Sequence, residues 1–244
     1  MFQRIDPTQI EALGYRFPAA DSVKAVLLQS KEWPDYPARR GSCSLLTRNN
    51  KFWAICTRHQ LDVQFGSEHR LSSDSSPLFS FADKLGNIVN VPTVRCLFAT
   101  DLETEQEYRD ILIFEIELVT VVEMNLEQSF FPLSHLVNSK RVQSLAIGQP
   151  SDVGKLTYDP LEVEFANLIL PCEIDETFAT STRFLKRFQY SNADFNKLDG
   201  LSGGTIFSWF ENGEIHFEGT ITRAGNGNIY CISQGFVAGI IDRA

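Results

Sequence analysis

The sequence predicts an all-β protein built as two barrel-like halves. Three observations carry that expectation. Short apolar runs recur along most of the chain with turn residues between them, the pattern of a barrel or sandwich. One pair of runs encloses Asn212-Gly213, the strongest short-range hairpin signal a sequence offers. Helical patterning is confined to the two ends.

Residues 7–15 form the first candidate helix, with Asp6 as its cap. Residues 23–29 follow as a strand that stops at Ser30 and the turn region Trp33-Pro34-Asp35-Tyr36-Pro37. Residues 42–47 and 52–57 flank Arg48-Asn49-Asn50, and two apolar runs around so short a polar turn make a hairpin. Residues 91–98 and 111–122 are further strands. In the second half, residues 144–148 are a short apolar run closed by Gln149-Pro150, and residues 161–170 are the next strand. Residues 205–210 and 215–221 form a hairpin around the Asn-Gly turn, residues 229–233 a late strand, and residues 236–243 a closing helix. There is no low-complexity segment and no repeat of solenoid length. The halves divide near residues 124–132.

Composition narrows the function classes. The 244 residues are 43% hydrophobic and 22% charged, ordinary for a globular chain and far from disorder. A net charge of −9 opposes phosphate binding, so nucleic acid is not expected as a partner. Lys186-Arg187 is too short a basic strip to reverse that. The first residues carry Arg4, Asp6 and Glu11 and lack the apolar stretch of a secretory signal. No run approaches the about 18 apolar residues of a membrane helix. The greasiest stretch, residues 111–124, is interrupted by Glu115, Glu117 and Glu123. A cytoplasmic chain with no membrane partner is expected. Cys43, Cys56, Cys96, Cys172 and Cys231 are odd in number and widely spaced, without a CxxC pair. Buried free thiols are therefore expected, with no structural metal and no cofactor.

Three local patterns carry chemistry. In Phe52-Trp53-Ala54-Ile55-Cys56-Thr57-Arg58-His59 an apolar strand ends and a histidine follows its terminal threonine by two residues. In Asp110-Ile111-Leu112-Ile113-Phe114 an aspartate opens an apolar strand. In Gly200-Leu201-Ser202-Gly203-Gly204-Thr205 a serine sits in a glycine-rich turn that runs into a strand. A serine hydroxyl needs a neighbouring base, histidine is that base near neutral pH, and an aspartate fixes its tautomer. Glycines around Ser202 allow a tight turn that can aim the Gly200 and Ser202 amides at one oxyanion, each donor stabilising the transition state by about 3–4 kcal/mol. His69, His135 and His216 lack the spacing of a metal motif and read as surface or satisfied core residues. The 19 phenylalanines read as core, and Asp199 as turn chemistry.

These three motifs, in the order His, Asp, Ser, resemble those of the trypsin-like (chymotrypsin-fold) serine peptidases, in a divergent form similar to intracellular bacterial members. Ala146-Ile147-Gly148-Gln149-Pro150 resembles the strand that opens their second barrel, and the resemblance spans about residues 20–240. It implies two packed antiparallel six-stranded barrels. Residues 1–19 would be an N-terminal extension, 20–127 the barrel carrying His59 and Asp110, and 128–244 the barrel carrying Ser202. It implies Ser202 as nucleophile, His59 as general base, Asp110 as its orienting partner, and Gly200 and Ser202 as oxyanion donors. Asn196 falls at the base of the primary specificity pocket, with Thr222 and Ala224 on the strand that lines it. A neutral Asn196 gives no carboxylate for a substrate Lys or Arg.

The chain also departs from that pattern. Leu201 replaces the aspartate that pairs with a freed N-terminus in zymogen-derived members, so activation by trimming is not expected. Gln60 stands where a cysteine braces the histidine loop, with Cys43 near the other position, and Arg58 stands where a small residue is common. The implied function is an endopeptidase acting on a protein or peptide substrate, controlled by a regulatory partner or trigger. The alternative is an inactive protease-like domain that binds without cutting. A third reading, an unrelated barrel with coincidental motifs, predicts His59, Asp110 and Ser202 far apart.

Overall fold

The computed structural model describes residues 18–30, 38–65, 68–71, 75–82, 88–99, 106–134, 139–150, 155–158, 161–164, 167–191 and 198–244. The candidate helix at 7–15 lies outside them. The first group of strands is β1 (Val23–Ser30), β2 (Ala38–Arg48), β3 (Lys51–Thr57), β4 (Asp62–Phe65), β5 (Glu68–Leu71), β6 (Ser75–Ala82), β7 (Ile88–Asn90), β8 (Thr93–Phe98), β9 (Ile111–Ile116) and β10 (Phe131–Pro132). The second is β11 (Arg141–Gly148), β12 (Lys155–Tyr158), β13 (Leu161–Glu164), β14 (Leu168–Ile174), β15 (Leu185–Gln189), β16 (Thr205–Phe210), β17 (Ile215–Gly225) and β18 (Asn228–Ser233). The described helices are short: α1 (Arg58–Leu61), α2 (Gln106–Arg109), α3 (Leu118–Glu123) and α4 (Gln234–Ile241). None is long and apolar enough to cross a membrane.

The first sheet runs in the order β7-β6-β1-β2-β3-β9-β8, with β10 lying parallel on β2. The second group closes into a six-stranded barrel, β11-β14-β15-β18-β17-β16. Two tight turns set the registers. Asn49 and Asn50 both take positive φ, 55° and 58°, between the paired residues Arg48 and Lys51. This is the twist a two-residue hairpin favours. Asn226 (φ 51°) and Gly227 (φ 77°) repeat it between β17 and β18, a second Asn-Gly signal that carries β17 as far as Gly225.

Three apolar clusters follow from this topology. One fills the first sheet, with Val26, Leu45, Ala54, Phe79, Leu112 and Leu126 among its members. One fills the closed barrel, with Ala146, Phe188, Leu201, Ile206 and Ile221. The third lies between them and draws Trp53, Ile55 and Ile113 from the first unit and Ile147, Phe207 and Phe217 from the second. The closing helix α4 joins that third cluster through Val237, Ile240 and Ile241. Beside it runs a polar seam. Ser42 N donates to Ser202 O (3.2 Å), Ser44 Oγ to Gly203 O (3.0 Å), Ser42 Oγ to Gly200 O (2.7 Å) and Gln149 N to Ser42 Oγ (2.7 Å).

Two strand expectations were too long. The apolar run at 111–122 is a strand only to Ile116, and α3 takes the rest. Ile116 pairs with Phe52 on one side and Thr93 on the other, at the ends of both neighbouring strands. Beyond it one strand-like bond remains, from Glu117 N to Pro92 O (3.0 Å), after which the backbone turns to helical hydrogen bonds despite its β-branched residues. The run at 161–170 divides for the same reason. β11 ends its pairing with β14 at Gly148 opposite Leu168, and Leu161–Glu164 pairs instead with β12 in a separate ribbon.

Candidate active site

Strand register brings two of the three motifs together before any side chain is considered. β3 and β9 are antiparallel neighbours in which Thr57 faces Ile111. His59 lies two residues past Thr57 and Asp110 one residue before Ile111, so both fall at the same end of adjacent strands. Arg58 N donates to Asp110 O (2.6 Å), fixing the start of α1 against the start of β9. The His59 amide donates to Asp110 Oδ1 (3.0 Å), and ring Nδ1 lies 3.0 Å from Oδ1 and 2.8 Å from Oδ2. A carboxylate only accepts, so Nδ1 carries a proton, and Nε2 lies 3.5 Å from Thr57 Oγ1. The His59 side chain is 52% exposed and that of Asp110 22%. Arg58 turns to Asp62, one helical turn on, at 3.5 Å.

Ser202 sits in a turn that only glycines permit. Gly200 and Gly203 adopt φ of +90° and +78°. A Cβ on Gly203 would lie 2.0 Å from Ser42 O, and one on Gly204 2.3 Å from Ile147 O. Leu201 N donates to Leu198 O (3.0 Å), Gly203 N to Ile221 O (2.7 Å) and Gly204 N to Leu201 O (3.0 Å). The intervening amides of Gly200 and Ser202 have no acceptor among the described residues. Leu201 is fully buried in the barrel's apolar cluster, so burial anchors the turn where the resembling zymogens use an ion pair.

His59, Asp110, Gly200, Ser202, Thr222 and Ala224 line one cleft of about 800 Å³. The three motifs thus open onto one cleft. Yet Ser202 Oγ donates to Thr222 O (3.0 Å), and no hydrogen bond joins it to His59. Thr222 is buried, with its own hydroxyl on Tyr230 O (3.3 Å). Between Thr222 and Ala224, Arg223 stacks over the Tyr230 ring at 4.3 Å and reaches Glu107 at 3.7 Å. Asn196 lies outside the described residues.

The expectation for the histidine loop needs correcting. Gly41, not Cys43, is the residue that faces Gln60: a Cβ on Gly41 would lie 2.2 Å from Gln60 Nε2. Cys43 points into the first sheet's core and is fully buried. Sequence reasoning also passed over Ser42 and Gln60 as parts of the site. A signal for Gln60 was present, because Thr57-Arg58-His59-Gln60 has the spacing of a helix capping box.

No protein-family model matches the chain, and no curated protein matches it in sequence. Among solved structures, the fold is similar to that of a thermostable serine protease from an extremophilic microorganism. The TM-score is 0.56 at 13% identity, over 93% of this chain and 97% of that one. The likeness is one of fold: this chain has a chymotrypsin-like fold, with one closed six-stranded barrel and a second β-sheet among its described residues.

Proposed function

We propose that the chain is a serine endopeptidase that cleaves a protein substrate inside the cell through an acyl-enzyme. The observation that carries this reading is one cleft holding a carboxylate-oriented histidine and a serine turn with two amides that have no acceptor among the described residues. Ser202 attacks the scissile carbonyl while His59 Nε2 takes its proton, and Asp110 stabilises the imidazolium. The Gly200 and Ser202 amides receive the oxyanion. His59 then protonates the leaving amine, and water repeats the sequence to free the acid. For the first step Ser202 Oγ must rotate from Thr222 O towards Nε2, giving up a hydrogen bond worth about 1 kcal/mol. Substrate or a regulatory partner supplies that turn. Thr222 and Ala224 line the cleft, and a neutral Asn196 at the base of the primary pocket, as the resemblance implies, offers no carboxylate for Lys or Arg at the cleavage site. The cytoplasm as the site of action is supported by the free thiols, four of them buried.

The Ser202–Thr222 bond favours a second reading, a protease-like domain that binds without cutting. One experiment separates the two. Purified protein and Ser202→Ala are treated with a fluorophosphonate, alone and with cell extract, and their intact masses recorded. The proposal expects a single adduct that maps to Ser202 and is absent from the variant. No adduct under either condition overturns it in favour of binding.

A further inference from the structure

Gln60 is 5% exposed and sits where β2, α1 and the serine turn converge. Its side-chain oxygen accepts from Thr57 N (2.9 Å) and Thr57 Oγ1 (2.8 Å), which ties it to the root of the histidine helix. Its side-chain nitrogen donates to Ser202 O at 2.6 Å and lies 3.3 Å from Ser42 O and 3.5 Å from Arg40 O. Exchanging the amide's two ends would set an oxygen against three carbonyls and an NH₂ against the Thr57 N–H, so the network fixes the orientation. Helix capping uses only the oxygen end. The nitrogen end crosses to the other barrel and holds the carbonyl of Ser202 itself. Gly41 and Gly203 make room for it, since a Cβ on either would collide with the amide, at 2.2 Å from Nε2 and 2.7 Å from Oε1 respectively.

We infer that Gln60 is a positioning residue: its amide links the His59 helix directly to the Ser202 backbone and sets the spacing of base and nucleophile. The role rests on the proposed peptidase reading. It acts through two neighbours and touches no reacting atom. The geometry distinguishes its two arms. Gln60→Glu keeps the acceptor for Thr57 and loses the donor to Ser202 O, whereas Gln60→Met loses both.

The test measures fluorophosphonate labelling per folded molecule across reagent concentrations, with hydrogen–deuterium exchange of residues 198–204 beside it. The expected result is a maximal labelling rate at least tenfold lower in both variants, with the half-saturating concentration changed less than twofold. Exchange of residues 198–204 accelerates at least tenfold, while β15, opposite β16 in the barrel, is unchanged. Labelling losses that merely follow loss of folded protein overturn the inference, as does a normal rate in Gln60→Glu. Exchange needs no activity. If the unsubstituted protein takes no label but exchange accelerates in the variants, the peptidase reading falls and the link stands. If it labels and the variants match it in both readouts, the link falls alone.

Discussion

Replacing Leu201 by alanine removes three carbon groups from the interior of the closed barrel. The side chain is fully buried, so their transfer alone costs about 2.4 kcal/mol, at about 0.8 kcal/mol for each. The walls cannot close over the gap. A Cβ on Gly148 would meet Leu201 Cδ1 at 2.5 Å, so barrel backbone bounds the site on that side, and Ala146 and Ile206 are held on paired strands. The residual cavity raises the expected loss to about 3–4 kcal/mol. Urea unfolding followed by tryptophan fluorescence reads this loss. Leu201 also lies between the Gly200 and Ser202 amides, the proposed oxyanion donors, so on that proposal fluorophosphonate labelling per folded molecule should fall at least tenfold. Leu126→Ala, a cut of equal size in the core of the first sheet, is the control, and it should cost similar stability without slowing the label. A loss below about 1 kcal/mol for Leu201→Ala, or equal slowing in both variants, would refute the claim that burial of Leu201 orders the turn.

Asp110→Asn should keep the fold and lower labelling of Ser202 by about 10³–10⁴-fold, because an amide can hold the imidazole in the wrong tautomer. Labelling rates of the variant and the parent protein at one pH check this. Burial alone would push the Glu218 carboxyl up, but Lys186 at 2.7 Å and Arg141 at 2.9 Å outweigh it and hold it below 4.5. Its contribution is complete above the unfolded value and is lost as pH falls through the lower folded one. Stability should therefore decline on acidification below about pH 4.5, and Glu218→Gln should flatten that decline. At pH 7 the variant should lose about 2 kcal/mol, less than a sealed pair would cost because both cations reach solvent. Urea midpoints at several pH values decide it. Burial pushes the Cys43 and Cys231 thiols up to about 12 and the part-buried Cys96 to about 11. Iodoacetamide at pH 8 should modify native protein far more slowly than urea-unfolded protein, Cys96 first, as a mass-spectrometric time course would record.

The all-β architecture in two units, one of them a closed barrel, and the meeting of His59 with Asp110 were legible because both depend on local order. Apolar strands ending in a histidine and beginning with an aspartate need only pair as neighbours to join them, and β3 and β9 do. The early end of β9 was not legible. It depends on where β3 and β8 run out, and nothing in the residues after Ile116 announces that. Gln60 was half legible. Its capping spacing is local, but its bond to Ser202 O joins residues 142 apart. The hydroxyl of Ser202 was not legible at all, since its choice of Thr222 O is one side-chain rotation that either barrel alone leaves open.

That separation of 142 residues between Gln60 and Ser202 also has a meaning in time. At about 5–20 residues per second of synthesis, on the order of ten seconds pass between the emergence of one and of the other. His59 can rest on Asp110 from the moment β9 follows β3 out, well before Ser202 is made. The polar seam waits for its other half: Ser42 Oγ can meet Gln149 N earlier, but the Gly200, Ser202 and Gly203 carbonyls arrive only with the glycine turn. The candidate site is thus assembled only after most of the chain has been made, and its serine turn finds its partners Ile221 and Thr222 later still.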